Sequence, residues 1–493
     1  MNQYFSKIVI AILAFIVINL AARWISFRFD LTQNKEFTLS KATRDILKNL
    51  DDKVTIKAYF SKDLPVDIAK TTEALTDLLS EFKNISNGQV EYEFISPNDD
   101  QAKEEEAMKA GIQPVMINVR EKDQAKQLKA FLGMILQYKE KKEVIPLVQP
   151  GTAMEYAVTT SIKKLTVTNK PKIGFIQGHG EASLQEMGQV FQSLDILYDV
   201  QSVYLTDSTN TSEFKTIVLV KPSDSIPPSH LQALDQYVYK GGNLIIAMNQ
   251  VEANLQQGLA TASSTGLDVW LSTKGIFVDS ALVRDVACGS VQVQQQSGFF
   301  SFSTPVQLPY LPLIQNFTNH PVTKGLDRII FQFASPVRYQ GPDNWTPLIL
   351  SSDKSASEKV PLMIDIQKQW THADFSEKNI CMGGLLELKS GGRMIVYGDG
   401  DFPVGQGRNQ QVNEDNVSLL VNGIDWLSDD TGLIELRTKA VQTRPIKELD
   451  DASRSMYKYV NFLLPIGLVL IYSVYRSAQS RRKRQNRMEQ RFN

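Results

Sequence analysis

Lys172-Ile-Gly-Phe-Ile-Gln-Gly-His-Gly-Glu181 is the stretch on which the fold turns. Its first five residues read as a short apolar strand, and the strand ends in a polar turn spaced by glycines. A helical stripe follows on Leu184, Met187, Phe191 and Leu194, then strands at 200–205 and 216–220. Leu231, Leu234 and Val238 mark another helix, stopped by Gly241-Gly242, and 243–248 is the next strand. Strands alternating with helices predict a parallel, doubly wound α/β sheet. The pattern lapses from about 250 to 391, where Gln, Ser, Pro and aromatics dominate, and this stretch reads as a β-rich insertion with strand-like runs at 329–333 and 348–350. The sheet resumes at 393–397, runs into Gly398-Asp-Gly-Asp401, and closes with a helix on Leu420, Ile424 and Leu427 and a strand near 433–437.

Upstream of the linker Asn169-Lys-Pro-Lys172 lies a second α/β pattern. Ser40 is a natural helix cap before Ala42, Ile46, Leu47 and Leu50. Val54, Ile56, Ala58 and Phe60 alternate as a strand, a helix follows on Leu75, Leu78, Leu79 and Phe82, and Val90, Tyr92 and Phe94 form a second strand. An acidic helix (101–110) leads through Gln113-Pro114 to a strand at 115–119, then to a hairpin of 129–138 and 144–148, and a helix on Met154, Val158, Ile162 and Leu165 closes the unit. This order resembles a thioredoxin-like domain, with Pro114 where that fold often places a cis proline. The turn after its first strand reads Ser61-Lys-Asp-Leu-Pro65, without a thiol, so thiol redox chemistry is excluded there.

Both ends of the 493-residue chain carry apolar runs, at 8–22 and 460–475. Each falls a little short of the ~20 residues that a membrane span normally needs, and flanking aromatics, Lys and Arg supply the missing turn. Arg476, Arg481, Arg482, Lys483, Arg484, Arg487 and Arg491 follow the second run. The positive-inside bias places that end in the cytoplasm, and two spans put the N-terminus there too, leaving the region between them outside. The net charge of −1, with 42% hydrophobic and 22% charged residues, fits a globular chain and argues against nucleic-acid binding. Two cysteines, Cys288 and Cys381, with no CxxC, exclude a cysteine-rich zinc site.

In open α/β sheets ligands gather at the carboxyl ends of the strands, where His179, Glu181, Asp399 and Asp401 fall. Two readings of these four stay open. They form a site for a ligand, a divalent metal or acid–base work, or they cap helices around turns that need glycine, in which case His179→Ala is mild and Gly180→Val severe. No Gly-x-Ser-x-Gly elbow or phosphate-binding loop occurs, neither cysteine follows a parallel strand near a His, and 221–228 reads as a proline-stiffened segment lacking an elbow. His230, His320 and His372 read as isolated surface or capping residues.

Several segments in this order resemble the GldG-type auxiliary proteins of ABC transporters linked to bacterial gliding motility. They are the N-terminal span, Asp30-Leu-Thr-Gln-Asn-Lys-Glu-Phe-Thr-Leu-Ser40, 54–65, 173–181 with its Gly-His-Gly-Glu, 237–246, 393–402 with its Gly-Asp-Gly-Asp, and the closing span with its basic tail. The resemblance implies a non-enzymatic subunit that associates with an ABC permease and its cytoplasmic ATPase. It also implies a central domain similar to the class I glutamine-amidotransferase fold without that fold's catalytic residues. The expected layout is a transmembrane helix at 5–25, the thioredoxin-like domain at 26–168 and the amidotransferase-like domain at 169–440. A linker at 441–456, a transmembrane helix at 457–475 and a basic cytoplasmic tail at 476–493 follow. The expected location is the inner membrane, two-pass, with the soluble region periplasmic and with no cofactor or catalytic residue. An envelope-facing hydrolase or metal-dependent enzyme built on His179, Glu181, Asp399 and Asp401 is the alternative.

Overall fold

The computed structural model describes residues 38–62, 64–121, 124–148, 154–167, 170–206, 209–297, 300–405, 411–428 and 451–492. The N-terminal span, most of the 28–40 strip, linker residues 441–450 and the strand expected near 433–437 lie outside the described residues.

In the first domain Ser40 caps α1 (Lys41–Lys48), its hydroxyl accepting the Thr43 amide. β1 (Val54–Phe60) leads into α2 (Val66–Ile85) and β2 (Val90–Ile95), and α3 (Gln101–Lys109) follows. β3 (Val115–Glu121), β4 (Gln124–Ala130), β5 (Leu132–Tyr138), β6 (Lys141–Ile145) and α4 (Met154–Thr166) complete the unit. One sheet has the order β2-β1-β5-β6, with β1 parallel to β2 and antiparallel to β5. Leu75, Leu79, Phe82, Val158 and Ile162 from the helices share its core.

The sequence reading placed 115–119 among the main strands and ran 129–138 together as one. Instead β3 and β4 pair only with each other, as a separate ribbon, and the sheet strand begins at Leu132. The cause is polarity. β4 reads Gln-Ala-Lys-Gln-Leu-Lys-Ala and cannot fill a strand buried on both faces, whereas Leu132, Met134 and Leu136 are fully enclosed. Pro114 therefore precedes the ribbon, and the cis peptide bond among the described residues is Val360–Pro361.

The second domain opens with β7 (Lys172–Gln177), α5 (Gly188–Leu194), β8 (Asp199–Tyr204), β9 (Phe214–Val220), α6 (Pro228–Tyr239) and β10 (Asn243–Ala247). α6 starts with proline at its first position and stops at Gly241 (φ +90°), where the Gly241 and Gly242 amides return to the carbonyls of Val238 and Tyr237. Next come α7 (Leu267–Ser272), the long hairpin of β11 (Cys288–Ser297) and β12 (Phe300–Ile314), β13 (Asn316–Phe317), β14 (Asn344–Leu350), β15 (Cys381–Glu387), β16 (Arg393–Tyr397) and α8 (Glu414–Ser428). The main sheet has the order β13-β14-β15-β16-β10-β9-β7-β8. Its five strands from β16 to β8 are parallel. Leu194 of α5 and Leu420 and Ile424 of α8 pack with Ile173 and Ile395 on one face, while Leu234 and Val238 of α6 and Leu271 of α7 pack with Leu219 and Leu244 on the other. This is a doubly wound arrangement.

The stretch 250–391 is not wholly an insertion apart. It contributes β13, β14 and β15, which extend the sheet antiparallel to β16. β15 is buried along its middle five residues, and Gly383 and Gly384 give room for Tyr397 and Trp345.

The described residues of the C-terminal unit form one helix, α9 (Asp451–Phe492), of 42 residues with Pro465 inside it. Residues Ser455–Arg481 are long and apolar enough to cross a membrane. The helix does not stop at the span expected over 457–475. It takes in the end of the expected linker and continues through the basic tail.

Candidate functional site

The chain reverses its direction of strand addition at β7, which lies between β8 and β9. The carboxyl ends of β7 and β9 therefore flank the crevice where doubly wound sheets gather ligands. Gly178 (φ +114°) and Gly180 (φ +75°) shape the turn after β7. A Cβ on Gly180 would lie 1.9 Å from Ser223 Oγ, so the loop after β9 closes down on this turn. Folded in this way, Glu181 faces back to His179. Its Oε2 accepts the His179 amide at 2.7 Å, and its Oε1 lies 2.8 Å from the ring Nδ1. The two side chains are 5% and 0% exposed.

The other ring nitrogen of His179, Nε2, is 2.9 Å from Nδ1 of His230 in the first turn of α6, and the rings meet edge to face at 5.1 Å. The result is a chain from Glu181 through His179 to His230. With Glu181 ionised, His179 donates from Nδ1 and accepts at Nε2 from His230, which leaves the His230 Nε2 lone pair as the far end. The reading of His230 as an isolated residue is thereby corrected. No local pattern places it at the site, because it lies 51 residues from His179 in sequence.

β9 is the middle strand of the parallel five, and Lys221 follows it directly with φ +54°. A left-handed residue at a strand-to-helix turn is the backbone geometry of a nucleophile elbow. The 221–228 segment thus does form an elbow-like turn, contrary to the sequence reading, but it carries a lysine. Its amide donates to Ala247 O at 2.7 Å, and its Nζ pairs with Asp401 Oδ1 at 2.6 Å. Two residues on, the Ser223 and Asp224 amides donate to the His179 carbonyl at 3.0 and 2.9 Å.

Asp399 is fully buried at the end of β16. It accepts the Gln332 amide at 2.6 Å and the Asp401 amide at 2.7 Å, with the Phe402 amide as a further donor. Burial, reinforced by the neighbouring Asp401 charge, pushes its carboxyl well above the usual range, while the three amides pull the other way. Asp401 accepts from Asn249 Nδ2 at 2.6 Å, and Asn249 Oδ1 accepts the Gly400 amide at 2.6 Å. A Cβ on Gly400 would come within 2.9 Å of Lys221 Cα, so the turns after β9 and β16 touch backbone to backbone. Nearby Glu186 is held below the usual carboxylate range by the amide and hydroxyl of Ser183 and by the Lys221 charge.

The four residues singled out from sequence thus form two pairs. Among the described residues no hydrogen bond or ion pair joins His179 or Glu181 to Asp399 or Asp401, and the loop after β9 touches both pairs. No group of three or more His, Cys, Asp or Glu among the described residues could hold a metal ion. Lys221, Asn249 and His230 are the members that sequence reasoning missed. The one legible signal was a turn at Lys221-Pro222, directly after the apolar run 217–220; the backbone angle of Lys221 left no trace in the sequence. Elsewhere, His320 packs edge to face on Trp426 at 4.9 Å, and His372 opens a short helical turn. Both thiols are unpaired, and burial pushes Cys381 up to about 11.

Residues 170–426 match a family profile described as an "ABC-type uncharacterized transport system", over half of the chain. The chain belongs to this ABC-transport auxiliary family. Residues 33–137 of the ABC-transport auxiliary chain match a second profile, a domain of unknown function. An uncharacterized protein of Borreliella burgdorferi is 23% identical over 354 residues, 69% of this chain and 68% of that protein. Among solved structures, the chain is similar to the mmIFT52 N-terminal domain, at 14% identity and TM-score 0.35 over 52% of this chain and 97% of that one. It is also similar to a putative ThuA-like protein of Parabacteroides merdae, at 14% identity and TM-score 0.30 over 53% and 91%. The ABC-transport auxiliary chain is accordingly an auxiliary component of an ABC-type transport system.

Proposed function

We propose that the ABC-transport auxiliary chain is a non-catalytic coupling subunit, anchored at both ends in the inner membrane with its two α/β domains outside the cytoplasm. Its first domain is read as thioredoxin-like without redox function and its second as amidotransferase-like without catalysis, of the kind that serves gliding-linked transporters. The observation that carries this reading is the turn after β9. The elbow position, where a hydrolase of this architecture would present a nucleophile, holds Lys221 in an ion pair with Asp401. The remaining polar groups are engaged with one another: Asp399 by backbone amides, Glu181 by His179, and His179 by His230. Such closed circuits pin the turns that shape the sheet's carboxyl edge.

One feature favours the enzyme reading: the Glu181–His179–His230 chain ends in a ring nitrogen able to take a proton. No hydroxyl or thiol nucleophile is hydrogen-bonded to that chain among the described residues, which favours the coupling role. Coupling places the permease contact in the spans, where Asn461, Pro465 and Gly467 interrupt an apolar helix that sits better against protein than lipid. Residues 455–481 replaced by an unrelated apolar helix of equal length should abolish co-purification with the permease while the soluble domains stay folded. Co-purification that survives the swap would move the contact to the soluble region and overturn membrane-level coupling.

A further inference from the structure

The hydrogen-bonding groups that α9 carries into its membrane-spanning part lie on one face. Pro465 stands inside the helix and has no amide hydrogen, so the carbonyl of Asn461, four residues earlier, loses its partner in the helical ladder. The Asn461 side chain adds an amide group on the same residue. At about 100° per residue, Tyr457, Asn461, Pro465, Leu468, Tyr472 and Tyr475 fall within roughly an 80° arc. Leu463, Ile466, Leu470 and Val474 hold the opposite side, and all these side chains are exposed in the single chain.

Depth makes this face costly in lipid. Tyrosines favour the two membrane interfaces, and Tyr457 and Tyr475 stand about 27 Å apart along the helix axis, close to the ~30 Å of hydrocarbon. Asn461 is then about 6 Å inside the hydrocarbon. No water satisfies its carbonyl there, and a backbone acceptor left without a donor is expensive.

A second copy of the chain meets this need with nothing added. Asn461, Leu468 and Tyr475 recur every seven residues with Leu464 and Ile471 between them, which is the a and d spacing of a coiled-coil seam. Two copies enter the membrane in the same direction, so a twofold axis along the membrane normal sets both Asn461 residues at one depth. Each side-chain amide can donate to the carbonyl that Pro465 leaves free on the other helix, and one residue type thus supplies donor and acceptor twice over. A helix of another protein would have to bring its own donor to that depth. A lone Asn at an a position also fixes the register of a parallel pair.

We propose that α9 pairs with α9 of a second copy of this chain through the Asn461 face, as a parallel helix dimer within the membrane. Gly467 lies about 120° around the helix from Asn461, and a Cβ there meets nothing within 4 Å, so its side stays open to the permease. The inference rests on the membrane span of the proposed function and adds that the coupling subunit is present as a pair.

The test uses the full chain in its native membranes, with Cys288→Ser and Cys381→Ser. A single cysteine is placed on the face, Leu468→Cys, or opposite it, Leu470→Cys. After mild oxidation, Leu468→Cys should give about tenfold more covalent dimer than Leu470→Cys, or better. Adding Asn461→Leu to the Leu468→Cys chain should cut that dimer by about fivefold or more, because two reciprocal hydrogen bonds go at once. Pro465→Ala, which returns a helical donor to the carbonyl, should lower it in the same direction. Equal dimer from the two cysteines, or a yield that Asn461→Leu leaves unchanged, overturns the pair. A covalent adduct of Leu468→Cys with a different protein in place of the dimer makes a foreign helix the occupant and overturns it as well. Permease co-purification is scored from the same membranes. Permease retained without the Leu468→Cys dimer leaves the coupling function standing and the pair overturned, whereas dimer without permease overturns the coupling function and supports the pair.

Discussion

His179→Ala should destabilise the chain rather than merely remove a surface imidazole. Glu181 has a side chain with 0% exposure, and its Oε1 is 2.8 Å from His179 Nδ1. Truncation leaves that oxygen without its donor and removes the partner of His230 Nδ1. A buried charged acceptor stripped of a hydrogen bond costs on the order of 2–4 kcal/mol. Against a domain stability of about 5–15 kcal/mol, that is a large share. Urea titration of the detergent-solubilised chain, followed by tryptophan fluorescence, should show the midpoint falling by about 1 M or more. Adding Glu181→Gln to His179→Ala should recover about 1–2 kcal/mol, because a neutral amide tolerates burial without a partner better than a carboxylate. A different pattern would refute the reasoning: a stability within about 0.5 kcal/mol of the native value, together with loss of transport. His179 would then be a reacting group, and the mild effect that the sequence alone led us to expect would be right for the wrong reason.

Gly180→Val should block folding of the turn, because φ is +75° and the added Cβ would overlap Ser223 Oγ; loss of folded protein from the membrane fraction checks it, and a native-like melting curve would count against it. Asp399→Asn should change how stability depends on pH. The native carboxyl has a folded pKa raised above its unfolded value, so the folded state holds the proton longer and stability falls as pH rises from about 4 toward the folded pKa. The variant lacks that fall, so native-minus-variant stability should decline with rising pH in denaturation series. Cys288→Ser with Cys381→Ser should leave transporter association intact, since the thiols are unpaired, with a loss of about 1 kcal/mol or less at Cys381, whose Sγ donates to Gly383 O. A reporter fused after Asn493 should be active only in its cytoplasmic form, and a periplasmic signal would reverse the assigned orientation.

The parallel sheet was legible because its strands are buried on both faces along their middles, so 173–176, 217–220 and 244–247 read as unbroken apolar runs between helical stripes. The antiparallel additions were not. β15 reads Cys-Met-Gly-Gly-Leu-Leu-Glu, and its glycines hide a strand whose identity depends on fitting Tyr397 and Trp345. In the first domain, the boundary between β4 and β5 falls at Phe131 inside what reads as one run, and the switch from ribbon to sheet depends on which partner each half finds. Glycine and charge marked the turns after β7 and β16, so His179, Glu181, Asp399 and Asp401 could be named from sequence. Their partners His230 and Lys221 were out of reach, since one needs the packing of α6 over the sheet and the other a backbone angle.

The most direct test of the account is isolation of the full chain from its native membranes in mild detergent, with quantitative mass spectrometry of what accompanies it. The account predicts an ABC permease and an ATPase subunit in fixed ratio to the chain, and the same ratio from a Lys221→Ala variant, because no catalysis runs through that turn. A chain that emerges without either subunit, yet hydrolyses envelope material in a manner lost with Lys221→Ala or His230→Ala, would contradict it.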